Sequence, residues 1–162
     1  MLTGLGAEFY VQGVAIRPGK PLAFGRVRER FFFALPGNPV STFVTFELFV
    51  RPAIAYLGGA AFEQPVYLKA RLGTPVRRVT GLTTFMPARV TRNKACSTAG
   101  GTMADTGGQE GVQPSDPIVG LVGWQGSGDL VGLAEANCFL VVHPDQTDLS
   151  PGDWVDVLPK NW

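Results

Sequence analysis

Two cations share one short loop near the beginning of the chain. Arg17 and Lys20 lie three positions apart in the segment Arg17-Pro18-Gly19-Lys20-Pro21, which follows an apolar stretch. We call residues 17–21 the basic loop. Arginine offers a planar fork of N–H donors and lysine a compact charge, so this pair of side chains can bind an anion. Two prolines and a glycine fix the loop and reduce the entropy lost on binding. A solvated basic turn would carry the same residues.

A second candidate site is the beginning of a predicted helix. Leu35-Pro36-Gly37-Asn38-Pro39 precedes an apolar stretch, with Asn38 as a suitable N-cap and Pro39 at the first helical position. Free backbone N–H groups and the helix dipole favour a phosphate or another oxyanion there, and Gly37 permits close approach of the backbone. A capped helix start with nothing bound would have the same sequence. The segment lacks the Gly-Lys-Ser/Thr ending of a Walker P-loop.

Other candidate residues carry weaker signals. Arg89 lies near the end of a predicted strand, and Gln125-Gly126-Ser127-Gly128 is a polar turn that could offer a hydroxyl to an anion. Cys96, Cys138 and His143 lack the spacing and number of ligands that a structural zinc site needs. His143 lacks a nucleophile elbow for a Ser-His-Asp arrangement. Cys138 begins an apolar strand, which favours a core position over a nucleophile.

The first sixty residues read as strands followed by one helix. We predict strands over 9–16, 22–27 and 31–35, with Arg28-Glu29-Arg30 as a hairpin connection. The continuous apolar run 31–35 suits a strand that is covered on both faces, as in a three-layer α/β domain. The helix begins at Pro39.

The predicted helix carries an apolar stripe and an internal proline. Pro52 should kink the helix or separate its last turns. The stripe has three- or four-residue spacing, which is typical of an amphipathic helix, and its members are Phe43, Phe46, Val50, Ile54 and Leu57.

The pattern changes after residue 62 to short strand-like runs, which suggest a small β-barrel or sandwich. These runs are 66–72, 83–91, 138–143 and 154–158, and residues 130–136 form one or two helical turns. We place a boundary near 59–64, with one domain over 1–60 and a second over 63–162. Residues 95–117 hold five glycines and no aromatic residue, so we expect a mobile loop there.

Composition and charge exclude several classes of protein. The chain of 162 residues has 45% apolar residues and a formal net charge of +1, which excludes intrinsic disorder and a general nucleic-acid binder. No apolar run reaches the length of about 20 residues that a membrane helix needs, and no secretion signal is visible. We therefore expect a cytoplasmic protein. Thirteen of the 14 basic residues lie within the first 94, so an anion-binding surface must come from that part.

The N-terminal part cannot complete an α/β domain by itself. Three strands and one helix do not cover both sides of an α/β sheet. We therefore expect either that another chain completes the domain or that the sequence is the C-terminal piece of a longer protein. The second explanation fits better, because the first strand has no preceding element to pack on it.

The order of the motifs resembles the C-terminal portion of the molybdopterin molybdenumtransferase family, also known as the MoeA/gephyrin E-domain family. The long motifs that carry the resemblance are 13–25 and Leu35-Pro36-Gly37-Asn38-Pro39-Val40-Ser41. Shorter ones follow in the same order, at 125–128, 136–137 and 151–155. The resemblance covers nearly the whole chain, except a flexible insertion at about 92–123.

The resemblance implies a role in molybdenum cofactor biosynthesis. The family inserts molybdenum from molybdate into adenylylated molybdopterin and releases AMP, with a divalent cation such as Mg²⁺, and its full-length members are expected to be homodimers. The implied fold is an incomplete three-layer α/β segment of the molybdopterin-binding type over 1–60, followed by a small C-terminal β-barrel over 63–162. No membrane or nucleic acid is implied as a partner.

The resemblance also assigns roles to individual residues. Arg17 and Lys20 would bind anionic substrate groups, and Pro36, Gly37, Asn38 and Pro39 would shape the adjoining loop. Arg89 and Ser127 would reach the same cleft from the barrel.

The expected Mg²⁺ lacks a matching cluster of ligands in this sequence. Residues 1–60 hold only Glu8, Glu29 and Glu47 as acidic groups, at positions that do not form a cluster. The isolated chain is therefore expected to be inactive. A truncated, non-catalytic binding or interaction module is the alternative function.

Overall fold

The computed structural model describes Gly4, residues 6–77, 81–92, 116–123, Gly126 and 128–160. Within these residues the chain forms a small antiparallel sheet, one long helical segment and a β-barrel. The predicted fold class is confirmed in these two parts: strands followed by a helix, and then a small barrel.

The N-terminal sheet has three antiparallel strands in the order β1-β3-β4. The strands of this part are β1 (Glu8–Gln12), β2 (Ile16–Arg17), β3 (Ala23–Val27) and β4 (Arg30–Ala34). The predicted hairpin between β3 and β4 is confirmed, and Arg28 adopts a positive φ of 52° at its turn. The single strand predicted over 9–16 is instead divided into β1 and β2. Gly13 has a φ of 89°, which interrupts extended backbone.

The sheet is less covered than the sequence suggested. In β4 the side chain of Phe31 is 55% exposed, while Phe32 and Phe33 are half-buried. The expectation that 31–35 is buried on both faces is therefore wrong for the residues described. Phenylalanine rings pack on both faces of this sheet: Phe24 and Phe33 stack on one face with centroids 4.6 Å apart, and Phe9 and Phe32 meet on the other at 5.4 Å.

The long helical segment begins at Pro39, directly after Asn38 at the N-cap, as predicted. It comprises α1 (Pro39–Thr45), a π-helical turn (Phe46–Val50) and α2 (Arg51–Leu57). The wider turn lies just before Pro52, which cannot donate a backbone hydrogen bond, so the predicted disturbance at this proline is confirmed.

Only part of the apolar stripe is covered in the structure, where Phe43 packs against the cluster of Val40 and Val44. The face that packs into the core carries Val40, Ser41, Val44 and Thr45. Two members of the predicted stripe, Ile54 and Leu57, are more than half exposed. One π-helical turn rotates the following residues relative to a regular helix, so a stripe that continues across it turns away from the covered side.

Five strands close into a barrel in the order β7-β8-β5-β11-β9, because β9 also pairs with β7. Its strands are β5 (Leu68–Leu72), β7 (Thr83–Arg92), β8 (Pro117–Leu121), β9 (Cys138–Val142) and β11 (Trp154–Pro159). The two-residue strands β6 (Val76–Arg77) and β10 (Asp148–Leu149) pair beside it, and α3 (Leu130–Glu135) precedes β9. Sequence patterns predicted β5, β7, β9, β11 and α3 within a few residues, but missed β6, β8 and β10.

Strand β8 corrects the limits of the expected insertion at 92–123. Pro117–Leu121 pairs with both β7 and β5, and Val119 is fully buried. Residues 117–121 are therefore part of the barrel, because the closed sheet needs a strand at this position. Residues 93–115, which include Cys96, lie outside the described residues. The mobile loop expected over 95–117 stays a prediction for that part.

Two apolar clusters share strand β9, whose five residues are all buried. Cys138, Leu140 and Val142 face the barrel interior, where they join Met86 and Val157. Alternate residues Phe139 and Val141 instead pack with α1 and α3, in the cluster of Val40, Val44, Phe85, Leu133 and Leu158. The helical segment therefore packs directly on the outside of the barrel, and β9 reads as a continuous apolar run because both its faces are covered.

By length and composition alone, the 19 residues Pro39–Leu57 could cross a membrane, which corrects the sequence expectation that no segment is long enough. Val40 and Val44 in this segment are fully buried against the barrel. A helix packed in a protein core passes the same test, so the finding is weak evidence for a membrane span.

Candidate functional site

The basic loop is fixed to the barrel and to the N-terminal sheet. Strand β2 pairs in parallel with β7, with Ile16 opposite Thr83 and Arg17 opposite Thr84. Backbone N–H groups of Val14 and Leu22 donate to the carbonyl oxygens of Lys20 and Gly19 at 2.9 and 3.2 Å. Pairing at both ends leaves the loop backbone few alternative conformations.

The side chains of the loop divide into a buried and an exposed set. Pro18 and Gly19 are buried, the Arg17–Pro18 peptide bond is cis, and Gly19 has a φ of 126°. Arg17 and Lys20 are exposed. The loop therefore holds its backbone against the protein while its two cations reach solvent.

A pocket of about 390 Å³ opens at this loop and brings together the two predicted cations with one hydroxyl. The residues that line it are Ile16, Arg17, Pro18, Gly19, Lys20, Pro21, Ser41, Leu82 and Gly126. None of these lining residues is acidic. Two positive groups and a hydroxyl, with no competing carboxylate among the described lining residues, are suited to bind an oxyanion by charge-assisted hydrogen bonds.

Ser41 is the site residue that sequence reasoning missed. It lies in the first turns of α1 and is only 4% exposed. Its backbone carbonyl accepts a hydrogen bond from the Thr45 hydroxyl, whereas its own hydroxyl has no partner among the described residues. Burial of a hydroxyl at a pocket wall favours a ligand as its partner, because a buried polar group without one is costly. The sequence placed Ser41 in the motif 35–41 but gave no sign that its side chain is buried.

The predicted helix-start residues lie beside this pocket rather than in its lining. The Thr42 hydroxyl donates to the carbonyl oxygen of Asn38 at 3.0 Å and also to that of Pro36, which holds the turn before the helix. Gly37 and Asn38 are exposed, and Pro36 and Pro39 are half-buried. Their contribution to anion binding stays a prediction.

The two residues predicted from the barrel are not brought to the lining in the described structure. Arg89 is exposed on β7, and its Nη2 donates to the carbonyl oxygen of Glu135 at the end of α3. Ser127 lies outside the described residues, although its neighbour Gly126 lines the pocket. The roles of Arg89 and Ser127 stay predictions.

The expected Mg²⁺ does not fit the acidic residues that the structure describes. Among them, no group of three or more His, Cys, Asp or Glu side chains is close enough to hold a metal ion. Glu47 pairs with Arg51 at 3.2 Å, and Glu8 lies 3.8 Å from Arg26. We therefore derive no chemical step through a metal in this chain.

Cys138 lies in the core, as the sequence indicated, and His143 contacts a carboxylate. Cys138 is fully buried, and burial raises the pKa of its thiol to about 11, which keeps it protonated and unreactive. His143 Nε2 lies 3.1 Å from Asp156, outside the pocket.

Family models match both parts of the chain. Residues 2–56 match a probable molybdopterin binding domain, and residues 112–160 match the MoeA C-terminal region, domain IV. The second match includes the strand β8 that the sequence analysis missed.

Individual relatives and solved structures agree with these models. Molybdopterin molybdenumtransferase from Haemophilus influenzae is 33% identical over 149 residues, covering 91% of this chain and 32% of the relative. The Staphylococcus aureus (strain COL) protein of the same name is 32% identical over 152 residues, covering 94% of this chain and 32% of that relative. A crystal structure titled molybdopterin biosynthesis MoeA protein, from Pyrococcus horikoshii, superposes with a TM-score of 0.68 at 26% identity, covering 99% of this chain and 34% of that one.

The chain thus spans about one third of the length of the relatives that it matches. Both ends of the described fold, the N-terminal segment and the barrel, have a counterpart in the family models. By sequence and by structure, the chain is similar to the C-terminal portion of the molybdopterin molybdenumtransferase family.

Proposed function

We propose that this chain supplies the oxyanion-binding part of a molybdopterin molybdenumtransferase, which inserts molybdenum from molybdate into adenylylated molybdopterin and releases AMP. The observation that carries the proposal is the pocket where Arg17, Lys20 and Ser41 meet. Relatives that the chain matches carry the name molybdopterin molybdenumtransferase, which supports the proposal.

The charges of the pocket suit the proposed substrates. Molybdate is a dianion, and adenylylated molybdopterin carries phosphate groups. Arg17 can donate two parallel hydrogen bonds to neighbouring oxygen atoms, whereas Lys20 supplies a compact charge. The Ser41 hydroxyl can donate a third hydrogen bond from the helix side of the pocket. These three side chains would bind and orient the oxyanion, and the fixed loop backbone would reduce the entropy that binding costs.

Titration of this chain with molybdate tests the proposal. Lys20→Ala removes one charge-assisted hydrogen bond, worth roughly 1.5–3 kcal/mol, so affinity should fall about 10- to 150-fold. Arg17→Lys should have a milder effect, because the charge remains and only the planar fork is lost. Arg77→Ala is the matched control, since it removes the same charge from a side chain that is 89% exposed and outside the pocket.

The outcomes separate a specific site from general attraction. Weaker binding with Lys20→Ala and unchanged binding with Arg77→Ala support the proposal. Equal small losses in both variants would mean that molybdate responds only to net charge, and the basic loop would be a solvated turn.

A non-catalytic binding module is the second candidate function. It is favoured by the lack of a metal-ligand cluster among the described residues and by the one-third share of the relatives that the chain spans. Because the isolated chain is expected to be inactive, molybdate-dependent AMP release is measured in a full-length protein that contains these residues. AMP release that Lys20→Ala reduces supports the transferase, whereas molybdate binding without AMP release supports the module.

Further parts of the assignment belong to the same proposal. They are a cytoplasmic location, homodimers in full-length relatives, and two domains over 1–60 and 63–162. Sedimentation and limited proteolysis test the last two directly.

A further inference from the structure

We infer that Thr45 is a positioning residue for the basic loop, a role that rests on the proposed function of that loop. The inference concerns the methyl group of Thr45, which supports Gly19 between the two cations. Thr45 does not line the pocket, so it would act through the loop and not on the anion itself.

The contact between Thr45 and Gly19 is unusually close. A Cβ atom built on Gly19 would lie 2.7 Å from Thr45 Cγ2 and 3.0 Å from Ile16 Cδ1. The Gly19 backbone therefore rests directly on these two apolar groups. Gly19 lies between Arg17 and Lys20 in the chain. The contact of Gly19 with these two apolar groups therefore sets the positions of both cations.

The hydroxyl of Thr45 fixes the direction of the methyl group. Oγ1 donates to the carbonyl oxygen of Ser41 at 2.8 Å, one helical turn earlier, and lies 3.1 Å from that of Thr42. Threonine in a helix divides between two rotamers, and a hydrogen bond to a preceding carbonyl selects one of them. The side chain is completely buried, so the selected rotamer is also held by packing. In this rotamer the methyl group points to Gly19.

The same helical turn connects both walls of the pocket. Ser41 and Thr45 are four residues apart and lie on one face of α1, which is the face that packs toward the core. Ser41 reaches the pocket itself, and Thr45 supports the loop opposite. Helix α1 would thus set the spacing between the Ser41 hydroxyl and the two cations.

Two substitutions separate the methyl group from the hydroxyl. Thr45→Ser keeps the hydroxyl and its hydrogen bond but removes the methyl group that contacts Gly19. The affinity for molybdate should fall about three- to tenfold, which is within the range of one hydrogen bond. Thr45→Val keeps the methyl group, because valine strongly prefers one rotamer in a helix. The affinity of this variant should stay within about twofold of wild type, because a twofold change in Kd corresponds to a free-energy difference well below that of one hydrogen bond.

The matched control is Val157→Ala in the barrel interior. Val157 is fully buried on β11 in the cluster with Met86 and Leu140, which contains no residue of the pocket lining. This variant should lower the unfolding midpoint and leave affinity unchanged at a temperature where it is folded. If Thr45→Ser and Val157→Ala lower affinity in proportion to their loss of stability, Thr45 is merely structural and the inference is wrong.

Amide exchange gives a second readout that does not depend on molybdate. The Val14 and Leu22 amides donate to the loop carbonyls, so Thr45→Ser should accelerate their exchange and Thr45→Val should not. If wild type fails to bind molybdate, the proposed function is wrong, while the exchange result still decides whether Thr45 positions the loop. Unchanged exchange in Thr45→Ser would overturn the inference.

Discussion

The guanidinium group of Arg71 lies 4.2 Å from the centroid of the Trp154 ring. Its Nε donates to Asp116 at 3.1 Å and its Nη1 to the carbonyl oxygen of Gly152 at 3.0 Å. Arg71 stands on β5, so these contacts join it to the start of β8 and to the turn before β11. One buried cation thus connects three neighbouring barrel strands.

Arg71→Met should strongly destabilise the barrel. Removing one partner of a buried ion pair costs about 3–5 kcal/mol, and the side chains of Arg71 and Asp116 are only 10% and 14% exposed. Urea unfolding measures the change. Arg77→Met is the control, because Arg77 is largely exposed and lies 3.8 Å from Asp148; equal shifts in both variants would contradict the prediction.

Asp156 should make stability depend on acid pH. Burial would raise the pKa of Asp156, but hydrogen bonds with Lys69 at 2.9 Å and His143 at 3.1 Å outweigh it and hold the pKa below its usual value. The ionised form is thus favoured in the folded state. The stabilisation is present above the ordinary aspartate pKa of about 4 and is lost as pH falls through the lower folded value.

The measurement is the free energy of unfolding between pH 7 and pH 3. Wild type should lose more stability over this range than Asp156→Asn. Asp145→Asn, at an exposed turn position, should keep the wild-type slope. A variant Asp156→Asn with the wild-type slope would show that this carboxylate is not responsible.

Cys138 should resist alkylation in the folded protein. Burial raises the pKa of its thiol from 9.0 to about 11, and only the thiolate reacts readily. In a Cys96→Ser background, iodoacetamide at pH 8 should modify the protein in urea but not under native conditions. Rapid native alkylation at pH 8 would contradict the buried position.

The same thiol should make stability depend on alkaline pH. Since the raised pKa favours the protonated form in the folded state, stability should fall as pH rises from about 9 through 11.

Gly25→Ala should separate β1 from β3. A Cβ atom at Gly25 would lie 2.2 Å from the backbone oxygen of Glu8 and 2.8 Å from Phe32 Cζ, so the strands must move apart. Amide exchange should accelerate over Glu8–Gln12 and stay unchanged in the barrel. The control is Gly120→Ala in β8, where a Cβ atom would meet nothing within 4 Å. Equal exchange in both variants would show that the sheet tolerates the substitution.

The features that the sequence predicted well depend on neighbouring residues. The basic loop follows from prolines and a glycine within residues 17–21, and the helix start follows from Asn38 and Pro39. Such signals act over a few positions and need no knowledge of the rest of the fold.

The features that it missed depend on contacts between distant residues. Arg71 lies on the polar face of the alternating sequence of β5, yet it is buried because Asp116 and Gly152 approach it from elsewhere. Strand β8 follows a glycine-rich stretch of sequence. Its place in the barrel comes from its pairing with the distant strands β5 and β7. The burial of Ser41 likewise depends on how α1 packs on the barrel, and a local pattern cannot report this.

The parallel pairing of β2 with β7 has a consequence for the order in which the molecule assembles. Ile16 meets Thr83 and Arg17 meets Thr84, although the intervening chain contains the hairpin, the whole helical segment and the first barrel strand. Closing a long loop costs entropy before the pairing returns any stability, so local hairpins form sooner than such pairs. The β3–β4 hairpin is therefore expected early in refolding. The basic loop reaches its final geometry only once β7 is in place, so its arrangement reports completion of the fold.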